Sequence, residues 1–132
     1  MIYNDSAHIE EIARERLSRK GMVVNIDLDD YRSVVAGSDQ VFLVQVRSAA
    51  DFSSFLSELR SEIQSFHLPA GAFARVMIHL VAHPQADVTM ENYAALGDMI
   101  GELLATDQVK FGFACDASLP ENLKDIAVFV AE

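Results

Sequence analysis

The sequence predicts an α+β protein. We expect a mixed four-stranded sheet packed with two long helices in the order β-α-β-α-β-β, preceded by an N-terminal helix and a short loop helix. Three observations carry this. Apolar residues recur at helical spacing over 49–66 and 90–104. Runs rich in β-branched and aromatic residues fall at 40–47, 73–82, 108–114 and 126–131. Loop-forming residues such as Gly37, Pro69, Gly71, Pro84 and Pro120 separate several of these segments. The 132 residues suit one domain, 1–132, with a core of useful size.

In chain order, Ile9, Ile12, Ala13 and Leu17 form the stripe of a helix over 6–20, with Asp5 or Ser6 as cap. Glu10 and Glu11 sit early and Arg14, Arg16, Arg19 and Lys20 late, the order that the helix dipole favours, so the basic end reads as a solvated helix terminus. Gly21 suits the position just past the helix. Met22 to Ile26 reads as extended. A short helix follows over 28–36, with Asp27 as its N-cap, Asp30 three residues later and Gly37 beyond its end. The helix at 49–66 carries Phe52, Phe55, Leu56, Leu59, Ile63 and Phe66 on one face. The run 73–82 is apolar on both sides except at Arg75 and His79, which suits a central strand broken by His83-Pro84. Thr89 caps the helix at 90–104, and Val109, Phe111 and Phe113 alternate along the next strand.

A hydrophobic content of 51% excludes a disordered chain. A net charge of −10 argues against nucleic acid or an anionic membrane as partner, since both call for a basic surface. One cysteine, Cys115, cannot close an internal disulfide, and no basic-then-apolar leader pattern opens the chain. Together these read as a cytoplasmic protein.

Candidate chemistry concentrates at Asn25, Asp27, Asp29 and Asp30. The acids have several readings. They can simply cap the short helix. Asp27-Leu-Asp29 after an apolar run resembles the nucleophile motif of haloacid-dehalogenase-type phosphatases, but a downstream acidic metal pair is not visible. A calcium loop fails, because counting from Asp27 the turn glycine would be Arg32 and the last ligand Ser38. A stand-alone ligand-binding domain, or a phosphate- or metal-dependent enzyme using Asp27, Asp29 and Asp30, stays open as a second class. Cys115 beside Asp116 has no histidine placed near it in sequence and reads as a buried small residue. His8, His67, His79 and His83 lack metal-ligand spacing, and no phosphate-cradling glycine loop is present.

The stretch Gly21-Met-Val-Val-Asn25-Ile-Asp27-Leu-Asp29-Asp30-Tyr31 resembles the synergy loop of the tubulin/FtsZ family, with its Asn-x-Asp-x-x-Asp pattern. The resemblance extends through the element order to the end of the chain. Val109-Lys-Phe-Gly112-Phe-Ala-Cys-Asp116 is similar to that family's penultimate strand and the acidic loop after it. The resemblance implies a C-terminal-type domain without the GTP-binding domain. Residues 6–20 would match the end of the central helix. It implies that Asp27 and Asp30 act in trans on GTP held by a neighbouring subunit, orienting the attacking water, with Asn25, Asp29 and Tyr31 at the interface. The chain itself would bind no cofactor and no GTP, and would be no enzyme alone. Its partner would be an FtsZ- or tubulin-like nucleotide-binding subunit, or another copy through self-association. The family's glycine- and alanine-rich stretch after the first strand of this domain reads Gln45-Val-Arg47-Ser-Ala-Ala-Asp51 here, without glycine. The chain stops at Glu132 without the family's membrane-anchoring tail, so no recruitment by that route is expected.

Overall fold

Side-chain alternation decides the layers. Along the longest strands odd and even residues point to opposite faces, and both faces are apolar, so the sheet must be covered twice. The computed structural model describes residues 2–18, 21–38, 40–65, 75–106 and 108–131. Its elements are β1 (Ile2–Tyr3), α1 (Ser6–Leu17), β2 (Met22–Val24), α2 (Leu28–Val35), β3 (Val41–Ser48), α3 (Phe52–Gln64), β4 (Arg75–Ala82), α4 (Met90–Leu104), β5 (Val109–Cys115) and β6 (Lys124–Ala131).

The sheet runs β1-β3-β6-β4-β5-β2. Among the described strands only β4 and β5 are parallel, joined by the α4 crossover; the other pairs are antiparallel. The four expected strands therefore form the centre of the mixed sheet. Two short strands, β1 and β2, extend it to six, one at each edge. Neither is long enough to show an alternation of its own.

Helices α3 and α4 cover one face, where Phe55, Leu59, Leu96 and Ile100 meet Ile78, Leu80, Ile126 and Val128. Helices α1 and α2 cover the other, where Ile9, Ala13, Tyr31 and Val34 meet Leu43, Met77 and Phe129. Burying each such aliphatic or aromatic side chain contributes roughly 1.5–3 kcal/mol. Helix α4 spans 90–104 as expected, capped by Thr89. Helix α3 starts at Phe52, later than expected, because Asp51 accepts from the Ser54 amide and so caps it there. The expected Phe66 contact, the Pro69–Gly71 loop and the start of the strand at 73 lie outside the described residues.

Helix α1 ends at Leu17 with Ser18 as its C-cap, so Gly21 is not the capping residue. Its φ of +83° serves another purpose. A Cβ there would stand 2.6 Å from the Cys115 carbonyl oxygen, and the Gly21 carbonyl accepts from the Cys115 amide at 3.1 Å. Glycine lets the chain turn flat against β5 and enter β2.

The basic end of α1 also differs from expectation. Arg14 pairs with Glu10 on the surface, but Arg16 is buried at 6% exposure. Its Nε donates to His79 Nδ1 at 2.9 Å, its Nη1 to Asp125 Oδ1 at 2.9 Å, and its Nη2 to the carbonyls of His79 and Asp125 at 3.0 Å each. Because a guanidinium only donates, the bonded Nδ1 carries no proton. This pins α1 across β4 and β6.

Candidate functional site

The loop from Asn25 to Asp30 is built by its own side chains and by β5 beneath it. Asp27 caps α2: its Oδ1 accepts from the Asp30 amide at 2.9 Å, and Asp30 Oδ2 accepts from the Asp27 amide at 2.9 Å. This reciprocal capping box satisfies amide donors that a helix start otherwise leaves open. Lys110 on β5 donates to Asp30 Oδ1 at 3.2 Å, tying the first turn of α2 to the sheet. The Asp27 amide holds the Asp30 carboxyl below the usual range; partial burial opposes this and Lys110 reinforces it.

Between these anchors Ile26 is buried, and it sits over Gly112. The loop is thus fastened at Gly21 on Cys115, at Ile26 on Gly112 and at Asp30 on Lys110. Asn25 and Asp27 stand exposed between the fastenings.

The five candidate residues have unequal places. The cap uses only Oδ1 of Asp27, whereas both oxygens of Asp30 are engaged. The Asp29 side chain is 88% exposed, 3.6 Å from Arg32 in a surface pair that contributes little. Tyr31 is a correction. Expected at an interface, it is 3% exposed and meets Phe129 edge-on with centroids 5.4 Å apart. It is three residues before Val34, on the inner side of α2. Burial, with the nearby Glu10 charge, pushes its phenol up to about 12.

The sequence reading missed Arg16, described above, and a second polar knot. Lys124, fully buried, donates to Asp87 Oδ1 at 2.7 Å and to the Ala50 carbonyl. Asp87 Oδ2 accepts from the Phe52 amide at 2.8 Å, and the Asp87 carbonyl accepts from Asn92 at 2.6 Å. Sequence held a signal for both residues: Arg16 continues the Ile9–Ala13 stripe, and Lys124 continues the alternation of Ile126 and Val128.

Among the described residues no three His, Cys, Asp or Glu side chains converge as metal ligands. Cys115 is half-buried, and burial pushes its thiol up, away from a nucleophilic thiolate. Among the described residues no helix is long and apolar enough to cross a membrane.

No family model matches the sequence, and no curated protein matches it significantly. Solved structures do. An empty FtsZ dimer from M. jannaschii matches with a TM-score of 0.64 at 17% identity, over 89% of this chain and 34% of that one. A TubZ-Bt four-stranded filament matches at 0.70 and 13% identity, over 95% and 32%. CetZ2 from Haloferax volcanii, a GTPγS-bound protofilament, matches at 0.57 and 11% identity, over 81% and 34%. The chain spans about a third of the length of these structures. The shared fold is that of the FtsZ/tubulin C-terminal domain.

Proposed function

We propose that this chain is an FtsZ-like cytoskeletal assembly module. Its Asn25–Asp30 loop docks on the nucleotide-bearing face of a neighbouring subunit and completes that subunit's GTPase site in trans. The observation that carries this is Asp27: an exposed carboxylate with Oδ2 left over from the cap, held on a loop fastened to β5 on both sides. A carboxylate placed this way orients water by position, and acts only when a phosphate is presented to it. Likeness to FtsZ, TubZ and CetZ structures, several of them dimers or filaments, supports the assembly part.

On this reading the two acids divide the work. Asp27 is the water-orienting group. Asp30, with both oxygens engaged, holds the loop in shape and reaches a partner's nucleotide only if Lys110 lets go. With Tyr31 buried, Leu28 and Met22, both half-exposed, are the apolar groups beside the acids. The second reading, a self-contained phosphate or metal enzyme, needs further polar groups converging on the acids. What converges on Asp30 is Lys110 and backbone.

The test is GTP-driven assembly of an FtsZ-like GTPase from the same cell, followed by light scattering. Residues 1–132 carry the docking face but no glycine-rich phosphate loop, so added as this segment they should cap a filament end, and substoichiometric amounts should shorten filaments. No response at equimolar protein would refute the proposal and leave likeness of fold without likeness of function.

A further inference from the structure

Lys110, Gly112 and Ala114 share the face of β5 that looks toward α1 and α2, while Val109, Phe111 and Phe113 pack on the opposite core. On the first face Gly112 is covered by Ile26 and Ala114 is buried, so position 110 is where a long side chain on β5 can reach α2. Its neighbour across the ladder is the buried Met77, beside which an apolar residue would suit the core. The residue is instead a lysine. Its Nζ stands 3.2 Å from Asp30 Oδ1, and the two side chains are 43% and 33% exposed.

The fold gains little from this cation. An ammonium beside the first turn of a helix opposes the helix dipole. An ion pair this exposed contributes little to stability. Arg75, the other cation lining the groove beside Lys110, donates to the Ser33 carbonyl and the Ser38 hydroxyl at the far end of α2.

What Lys110 changes is the charge of the loop. Asp30 is paired with Lys110 and Asp29, loosely, with Arg32, whereas Asp27 has no cation within ion-pair distance among the described residues. The chain as a whole carries a net charge of −10. A triphosphate is also strongly negative, and like charges brought together across an interface oppose association.

We infer that Lys110 is a positioning residue for the site completed in trans: it neutralises Asp30 within the cap, so that of the two capping acids Asp27 alone meets a neighbour's nucleoside triphosphate uncompensated. The inference rests on the docking reading above and adds to it a residue from β5, outside the loop itself.

The test compares the parent with Lys110→Gln, Lys110→Arg and Arg60→Gln. Arg60 is exposed on α3, across the sheet from the loop, and its loss changes the net charge by the same one unit. Docking is read as the concentration that half-maximally shortens GTP-assembled filaments of the FtsZ-like GTPase, at low and at high salt. Carboxyl titration by NMR follows Asp30 in the free chains. At about 50 mM salt Lys110→Gln should need about fivefold more protein than the parent, and at about 500 mM the gap should close as the repulsion is screened. Lys110→Arg and Arg60→Gln should match the parent. In the free chain the Asp30 midpoint should rise in Lys110→Gln and stay in place in the other two. A parent that shortens no filaments refutes the docking reading and this inference with it. With an active parent, this inference alone is overturned by equal potency of Lys110→Gln, by a loss that salt does not reduce, by an equal loss in Arg60→Gln, or by an unmoved Asp30 midpoint.

Discussion

Ile26 occupies the space in which residue 112 would otherwise carry a side chain. A Cβ built on Gly112 would lie 2.2 Å from Ile26 Cγ1 and 2.6 Å from its Cδ1. The buried foot of the acidic loop therefore depends on a glycine in a strand more than eighty residues away.

Gly112→Ala should displace Ile26 and, with it, the Asn25–Asp30 loop. Overpacking of this kind costs about 1–3 kcal/mol. Thermal unfolding gives the loss, and amide exchange at Asp27 and Asp30 should speed up more than exchange in β6. Unchanged loop protection would show that Ile26 does not hold the loop.

The reciprocal cap makes a second prediction. Asp27→Ala should cost about 1 kcal/mol. Asp30→Ala should cost at least as much, because it removes the partner of both the Asp27 amide and Lys110. Asp27→Asn should be nearly neutral, since an asparagine oxygen still caps. Chemical denaturation measures all three; a clearly smaller loss for Asp30→Ala would contradict the capping box.

How much of this was legible in sequence depends on the range of the interaction. α4 was readable to the residue because its stripe and its Thr89 cap are local. So was the Asp27 cap, an acid before a helix with another acid three positions on. Tyr31 stands beside the acids, which points to an interface, but its spacing from Val34 points inward, and the spacing prevails. Arg16 stands in a basic run, which suggests solvent, but it is also seven residues from Ile9 and so lies on the buried stripe. Met22 to Ile26 reads as extended in sequence, but the pairing of β2 with β5, like that of β1 with β3, depends on edges that no local pattern records. Lys124 is buried against Asp87, 37 residues away in sequence, a pairing that only the fold reveals.

That pairing should be asymmetric under mutation. Asp87→Ala leaves a fully buried ammonium without its carboxylate and should cost about 3 kcal/mol or more. Lys124→Met replaces the cation by an apolar side chain of similar length and leaves Asp87, 44% exposed, to water. It should cost clearly less. Denaturant midpoints of the two variants decide; equal losses would mean that the buried charge is not the issue.

Acid should unfold the protein through carboxylates that folding holds low: Asp51, by the Ser54 amide that it caps, Asp30 and Asp87. Asp30 is held low by the Asp27 amide, aided by Lys110. For Asp87 burial pushes upward, but Lys124 and the Phe52 amide outweigh it and the carboxyl ends low. A folded pKa below the unfolded value of roughly 3.9 adds stability that is present above that value and lost as pH falls through the folded one. Melting temperature should hold to about pH 5 and drop below about pH 4. Asp30→Asn with Asp87→Asn should start lower at neutral pH and fall less in acid; an equally steep fall would assign the loss to other groups.

The most direct measurement of the central claim is phosphate release from an assembling FtsZ-like GTPase, with the parent chain and Asp27→Asn compared at equal amounts. Asp27→Asn keeps the cap, the loop and the apolar surroundings and removes only the charge. The expected result is that both proteins shorten filaments equally while only the parent raises GTP hydrolysis per bound end. Equal hydrolysis with the two proteins would contradict the assignment of Asp27 as the carboxylate that completes the neighbouring site.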